Sequence, residues 1–384
     1  MKIKEIASYI IQFLVGMFCG GILGYFMVDK MLEVQDDSLL GVILNPLIVL
    51  IMFCIAFFIQ IIIHEAGHLV FGLMSGYTFV SFRILNFMWK KTNGKIKLYR
   101  YSLAGTGGQC LLGPPDYNNG NYPYKLYGFG GVLLNLISVP IFLLIAFTIA
   151  IIKDSVIGAD MVTMFFMILV MFGMATAMLN GIPMRNQLVS NDGYNTFNMG
   201  KNPASVKAHW QQLKINEKIT EGADVNDLPD EWFSVDSDED LKDSMVAAIA
   251  VFNAQRILGR YEFAKANEEM QRLLKIDTGT VGLHRNLLIN DIIFCELMIG
   301  EDVTQIEQRV DKNQRKFMKA MCKYPTIIRT RYAFALLAER NEEKAKNIMS
   351  EFDKMAEKYP YEVEIQSERK LMKYAEDLYG LGKI

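Results

Sequence analysis

The chain has 384 residues, with 40 Lys and Arg against 42 Asp and Glu, for a net charge of −2. Only 20 of those charged side chains fall before residue 185, so the first half cannot cover itself with polar surface, and a single ordinary soluble globule is excluded. The near-neutral balance argues against a general nucleic-acid binder. The five scattered cysteines, without a Cys-x-x-Cys pair, suggest neither a disulfide framework nor a cysteine zinc site and fit a reducing compartment for the soluble half.

Four stretches lack any Asp, Glu, Lys, Arg or His: Ala7–Val28, Leu39–Ile63, Leu126–Ile152 and Met161–Met184. Each is long enough for a helix to cross the hydrocarbon, which takes about 20 residues. The first is too long for the apolar core of a signal peptide and is read as a retained span. Lys2 and Lys4 precede it, whereas Asp29, Glu33, Asp36 and Asp37 dominate the loop after it. Between the second and third spans lie Arg83, Lys90, Lys91, Lys95, Lys97, Arg100 and Lys125 against one Asp, Asp116. Positive charge marks the cytosolic side. The expectation is an α-helical polytopic membrane protein, multi-pass in the cell membrane, with both termini cytosolic.

The second span runs directly into His64, Glu65, Ala66, Gly67 and His68. Ionisable residues continuing an apolar helix are costly at membrane depth and point to function. After Gly76 the pattern changes. Residues 77–103 are rich in aromatic and β-branched side chains around Asn93-Gly94, which predicts a small membrane-associated β-hairpin. Ala104–Pro115, rich in Gly and Pro, reads as irregular backbone. The third and fourth spans follow, and the fourth ends in Asn180-Gly181-Ile182-Pro183, with Asp192-Gly193 beyond.

Residues 196–240 read as a linker, most clearly the Asp-rich Gly222–Asp240. From 241 to 384 the pattern is helical. Three tight turns are expected, at Leu258–Glu262, Ile299–Asp302 and Glu339–Glu343, about 40 residues apart. Two helices end at Lys323-Tyr324-Pro325 and Lys358-Tyr359-Pro360, because proline lacks the amide donor. Helix pairs at this period resemble tetratricopeptide repeats. A cytosolic all-α solenoid-like domain is expected, whose concave surface suits a protein partner.

His64-Glu65-x-x-His68 carries the chemistry. On a helix, positions i and i+4 share a face, so two imidazoles can meet one Zn²⁺. The carboxylate between them can take a proton from water made acidic by the metal and return it to a leaving amine. A third ligand is required, and a fourth position stays open. His209 and His284 lie in the soluble half and are poor candidates.

His64-Glu65-Ala66-Gly67-His68 at the end of one span, with Asn180-x-x-Pro183 and Asp192-Gly193 at the end of another, resembles the site-2 protease family of intramembrane zinc peptidases. The resemblance spans roughly residues 39–195, with residues 1–38 as an accessory span and its external loop. It implies that Asp192 is the third ligand and that Asn180 helps hold the substrate backbone. Gly130-Gly131-x-x-x-Asn135 resembles the middle core span, which extends a substrate role to Asn135; the alternative for both asparagines is that they bridge helices by side-chain hydrogen bonds. The family usually places the Asp four residues nearer the proline, so the loop Met184–Asn191 must bulge here; Asp116 and Asp160 are the other acids considered. The family is thought to use a membrane-associated β segment to receive an unwound substrate strand. The expected activity is zinc endopeptidase cleavage of membrane-spanning substrates near the cytosolic face. The alternative is a catalytically silent scaffold in the bilayer that recruits partners through its tail.

Overall fold

The computed structural model describes residues 3–32, 39–92, 94–102, 106–118, 120–158, 160–184, 190–276 and 278–382. The chain divides into two compact units. The first comprises Met1–Thr78, Gly107–Cys110 and Pro123–Lys201; the second comprises Phe79–Thr106, Leu111–Tyr122 and Asn202–Ile384.

The first unit is helical: α1 (Ile3–Leu32), α2 (Leu39–Met74), α3 (Tyr124–Ile152), α4 (Met161–Gly181) and the short α5 (Asp192–Met199). Four helical stretches, Ser8–Lys30, Gly41–Met74, Tyr124–Ile152 and Met161–Gly181, are long and apolar enough to cross a membrane. They coincide with the four expected spans, and α2 continues through the histidine pair to Met74. Val49, Phe53 and Ala56 of α2 pack with Met164, Ile168 and Met171 of α4, the apolar faces closing a seam. Between α2 and α3 the backbones themselves touch. A Cβ on Gly67 would land on the Gly130 carbonyl, and one on Gly130 would meet the Gly67 carbonyl oxygen at 2.5 Å. Only glycine at these positions permits that approach.

Four strands form one antiparallel-paired ribbon and its neighbour: β1 (Thr78–Ile84), β2 (Phe87–Thr92), β3 (Lys95–Arg100) and β4 (Gly108–Gly113), in the order β3-β2-β1-β4. Thr92 pairs with Lys95, which puts the turn at the expected Asn-Gly. Asn93 lies outside the described residues, and Gly94 takes the positive φ of 76° that such turns require. Strand β4 departs from the expected irregular segment. Cys110 and Leu112 are buried in alternation there, a two-residue period that the flanking glycines and prolines disguise in the sequence.

The rest of the second unit is all-α: α6 (Pro203–Glu221), α7 (Ser244–Gly259), α8 (Phe263–Lys275), α9 (Gly282–Ile299), α10 (Val303–Arg309), α11 (Lys312–Ala320), α12 (Pro325–Ala333, followed by a π-turn over Phe334–Ala338), α13 (Glu342–Ala356) and α14 (Glu362–Gly380). The three expected turns fall on helix boundaries. Gly300 closes α9 in the left-handed conformation at φ 76°, and Asn341 caps α13 by accepting from the Lys344 amide. Pro325 opens α12 at its first position, where its missing donor costs nothing.

Two boundaries differ from expectation. The stretch 196–240 is not a linker: α6 buries Ala208 and Ile215, and Leu228 and Phe233 follow them into the core shared with α7 and α9. Arg256 of α7 further ties the segment down by donating to the carbonyls of Asn226 and Leu228. The abundant acids mask these few well-placed apolar residues. Likewise the β-hairpin groups with the tail instead of the apolar helices, since Lys90 donates to the Pro360 carbonyl at 2.6 Å and Tyr101 packs edge-on to Tyr359.

Candidate metal centre

Gln60, His64 and His68 occupy successive i, i+4 positions on α2 and so form one stripe. The glycine contact between α2 and α3 brings that stripe against Tyr127 and Asn135. A Cβ on Gly131 would lie 2.5 Å from the His64 ring, so both helices are shaped around the imidazole.

The hydrogen bonds fix the imidazole tautomers. The Gln60 amide donates to the Leu169 carbonyl at 2.8 Å, which leaves its oxygen to accept from Asn135 Nδ2 at 2.7 Å. Asn135 Nδ2 also donates to the Gln60 carbonyl, so its Oδ1 is the atom facing His64 Nδ1 at 2.8 Å. An amide oxygen only accepts, so His64 Nδ1 carries the proton. His68 Nδ1 likewise donates to the Tyr127 carbonyl at 2.8 Å. Both Nε2 atoms therefore present lone pairs when the rings are neutral. They face each other at 3.3 Å.

Asp192 completes the group. Its Oδ2 lies 3.0 Å from His64 Nε2 and 3.3 Å from His68 Nε2. Burial works against its charge, yet His68 and His64 beside it hold the carboxyl well below the usual carboxylate range. Two lone pairs and a carboxylate oxygen converging on one point repel unless a cation or a proton lies among them. Among the described residues, His64, His68 and Asp192 form a group whose ligand atoms lie close enough together that it could hold a metal ion.

Asp192 reaches the centre because α5 is clamped in place. Residues 185–189 of the longer loop lie outside the described residues, but its two ends meet. The Asn191 amide donates to the carbonyls of Leu179 and Ile182 at 2.7 and 2.6 Å, while its oxygen accepts from Met184 N and caps α5 through Tyr194 N. The next residue is Asp192. A Cβ on Gly193 would land on the Gly181 carbonyl, and one on Gly128 would land on Thr196 Oγ1, so α5 seats tightly on α4 and α3.

Glu65 follows His64 on the same helix, half-buried. Gly108, at the start of β4, lies directly against it: a Cβ there would come within 2.6 Å of Glu65 Oε1. The Tyr127 hydroxyl donates to the Cys110 carbonyl at 2.8 Å and pins this start of β4 to α3.

The two asparagines linked to substrate by resemblance both have partners within the fold. Asn135 is fully buried, with both ends of its amide engaged by His64 and Gln60. Its side chain thus bridges α2 and α3 and faces His64 Nδ1. Asn180 is half-buried and donates back to the Thr176 carbonyl of its own helix. Asp160 caps α4 and pairs with Lys153 at 2.8 Å. Gln60 and Asn191 are site residues that sequence reasoning misses. The one available signal is that Gln60, with Asn45, is one of two amide side chains in the apolar part of α2, and it stands one turn before His64.

Comparisons with protein-family models, with curated proteins and with solved structures find no match to this chain.

Proposed function

We propose that this chain is an intramembrane zinc endopeptidase that hydrolyses peptide bonds of membrane-spanning substrates near the cytosolic face. The observation that carries this reading is the convergence of His64 Nε2, His68 Nε2 and Asp192 Oδ2 at 3.0–3.3 Å from one another. A tetrahedral zinc site with bonds of about 2.0–2.2 Å has edges of roughly 3.4 Å, so the spacing suits that ion with little adjustment. Zn²⁺ held by three protein ligands supplies Lewis acidity and makes water acidic enough to ionise near neutral pH.

The chain's own groups supply the rest. Asn135 and the Tyr127 carbonyl keep both imidazoles in the tautomer that offers Nε2. Glu65 takes the proton of the attacking water and delivers it to the leaving amine. A helical substrate must first unwind, because its peptide groups are satisfied internally. Strand β4 is favoured over the Asn93-Gly94 hairpin as the receiving edge, since it begins against Glu65 and stands last in the described sheet order. An extended segment paired along it would bring its carbonyls past the carboxylate.

The membrane setting rests on the four apolar helices and on what they leave uncovered. Phe13, Phe18, Leu144 and Ile151 are each more than half exposed, a surface that a bilayer would cover. The charge pattern of the loops supports a cytosolic side for both termini and the basic segment. On the same proposal the tail is a cytosolic helical-repeat domain.

The test is Glu65→Gln in full-length protein co-expressed with a single-span reporter. Cleavage should cease while bound zinc and expression stay at the wild-type level. Continued cleavage sinks the general-base role. Absence of cleavage by the wild type, against a panel of reporters, with zinc bound, would favour the silent scaffold.

A further inference from the structure

We propose that a basic cleft in the second unit docks an acidic, amphipathic peptide segment. The cleft measures about 990 Å³ and lies among α11, α12, α13 and the end of β3. Seven basic side chains and a single carboxylate, Glu351, line it, in a chain whose net charge is −2. The carboxylate is already taken, since Arg331 pairs with it at 3.0 Å.

Arg315, Lys319 and Lys323 stand on one wall, and Lys354 and Lys358 on the other, all exposed. Among the described residues none of these five is ion-paired with a carboxylate, although nearly every other charged segment of the helical tail carries such pairs, such as Lys344 with Glu339 and Arg369 with Asp353. Arg315 and Lys319 are four residues apart on α11, where like charges repel. Two basic walls across one recess raise a positive potential that an anionic occupant relieves. Arg100, at the end of β3, adds to it from the sheet side.

Between the walls the floor is apolar. Met318, Ile328, Met355 and Tyr359 line it and are buried or half-buried. An inorganic phosphate would satisfy the lysines and leave this floor wet. A bilayer surface is flat and would meet the rim but not the recess. Acidic side chains alternating with apolar ones match both features together. The volume sits at the top of the roughly 300–1,000 Å³ range of small-molecule pockets, which again suits a stretch of peptide. Recognition here would combine apolar anchors in a groove with charge-assisted contacts at its rim.

The proposal does not depend on hydrolysis at the metal centre, and the test separates the two. Full-length protein in detergent is titrated against a fluorescein-labelled peptide alternating Glu with Leu and Phe, and against the same peptide with Lys in place of Glu, by fluorescence anisotropy. The acidic peptide should bind, the basic one should not, and affinity should fall as salt rises. Lys319→Glu with Lys323→Glu, and separately Lys354→Glu with Lys358→Glu, should each weaken binding by about tenfold or more, whereas the corresponding Lys→Arg pairs keep it. Glu65→Gln should bind like the wild type. Circular dichroism confirms that the exposed substitutions leave the helices intact. Equal binding of both peptides, or undiminished binding in the reversed variants, overturns the proposal. So does failure of the peptide beside phosphatidylserine-vesicle binding that the same reversals abolish, which would assign the cleft to lipid.

Discussion

Asn135 Oδ1 stands 2.8 Å from His64 Nδ1, and through this contact α3 decides which nitrogen of the α2 imidazole is free. The chain behind it is short and complete: the Leu169 carbonyl orients Gln60, Gln60 orients Asn135, and Asn135 orients His64. Each link has a single satisfying arrangement, because each ends on a group that only donates or only accepts. Removing the link should therefore be felt as metal affinity. Asn135→Ala is expected to weaken zinc binding by roughly 10–100-fold, read by competition with a chromophoric chelator. Gln60→Leu should act in the same direction but less, since it frees Asn135 to rotate without removing it. If Asn135→Ala binds zinc like the wild type, the orienting role is wrong.

Gly67 is the position where α2 and α3 meet backbone to backbone. Gly67→Ala adds a methyl group where the Gly130 carbonyl already stands, and no flexible side chain is present to yield. The helices must separate, at a cost of about 1–3 kcal/mol typical of overpacking. Separation also draws Asn135 and the Tyr127 carbonyl away from the two imidazoles. Thermal unfolding in detergent should show the loss of stability, with zinc affinity falling in parallel. The control is Gly20→Ala on α1, where an added Cβ would meet nothing within 4 Å; it should lower neither stability nor zinc affinity.

The Asn191 side chain makes four hydrogen bonds beside Asp192 and joins the end of α4 to the start of α5. Asn191→Ala removes a helix cap, worth about 0.5–2 kcal/mol, and strands two carbonyls at the end of α4. Asp192 keeps its identity but loses its placement. The expected outcome is a fall in zinc affinity approaching that of Asp192→Ala, while Asn191→Asp, which still caps α5, falls in between. Equal zinc affinity for Asn191→Ala and the wild type would show that α5 is positioned by its glycine contacts alone.

The parts of this arrangement legible in the sequence are those set by local spacing. An i, i+4 pair of histidines needs only a helix, and an apolar run needs only length. The turns at Gly300 and Asn341 likewise announce themselves through a left-handed residue and a cap. What stays hidden depends on partners far along the chain. Nothing near Asn135 indicates that it meets Gln60, 75 residues earlier; the resemblance alone links it to substrate, and its contact with His64 has no local signal. Strand β4 escapes notice because its neighbour β1 lies across the loop, and the fold of 196–240 because four apolar residues matter more to a core than the many acids around them. Asp192 can be suggested by resemblance, but the Asn191 clamp that overcomes the longer loop has no local signature.

Glu364 on α14 gives the tail a pH dependence whose sign can be worked out. Burial, with Glu368 nearby, pushes its carboxyl from an ordinary value near 4.5 up to about 7, against the opposing hydrogen bond from Tyr359. Between those two values the unfolded chain has already released the proton that the folded chain still holds. The unfolded state then binds fewer protons, so stability falls as pH rises from about 4.5 through 7 and levels off above it. Protection of the α14 amides against hydrogen exchange, corrected for intrinsic rates, should decline over that window. Glu364→Gln stays neutral at every pH and should flatten the decline while retaining a partner for the Tyr359 hydroxyl. The variant should therefore be the more protected protein near pH 8 and nearly indistinguishable near pH 4.5. If wild type and variant decline alike, the titration belongs to another group, and Glu364 is ionised in the folded tail throughout.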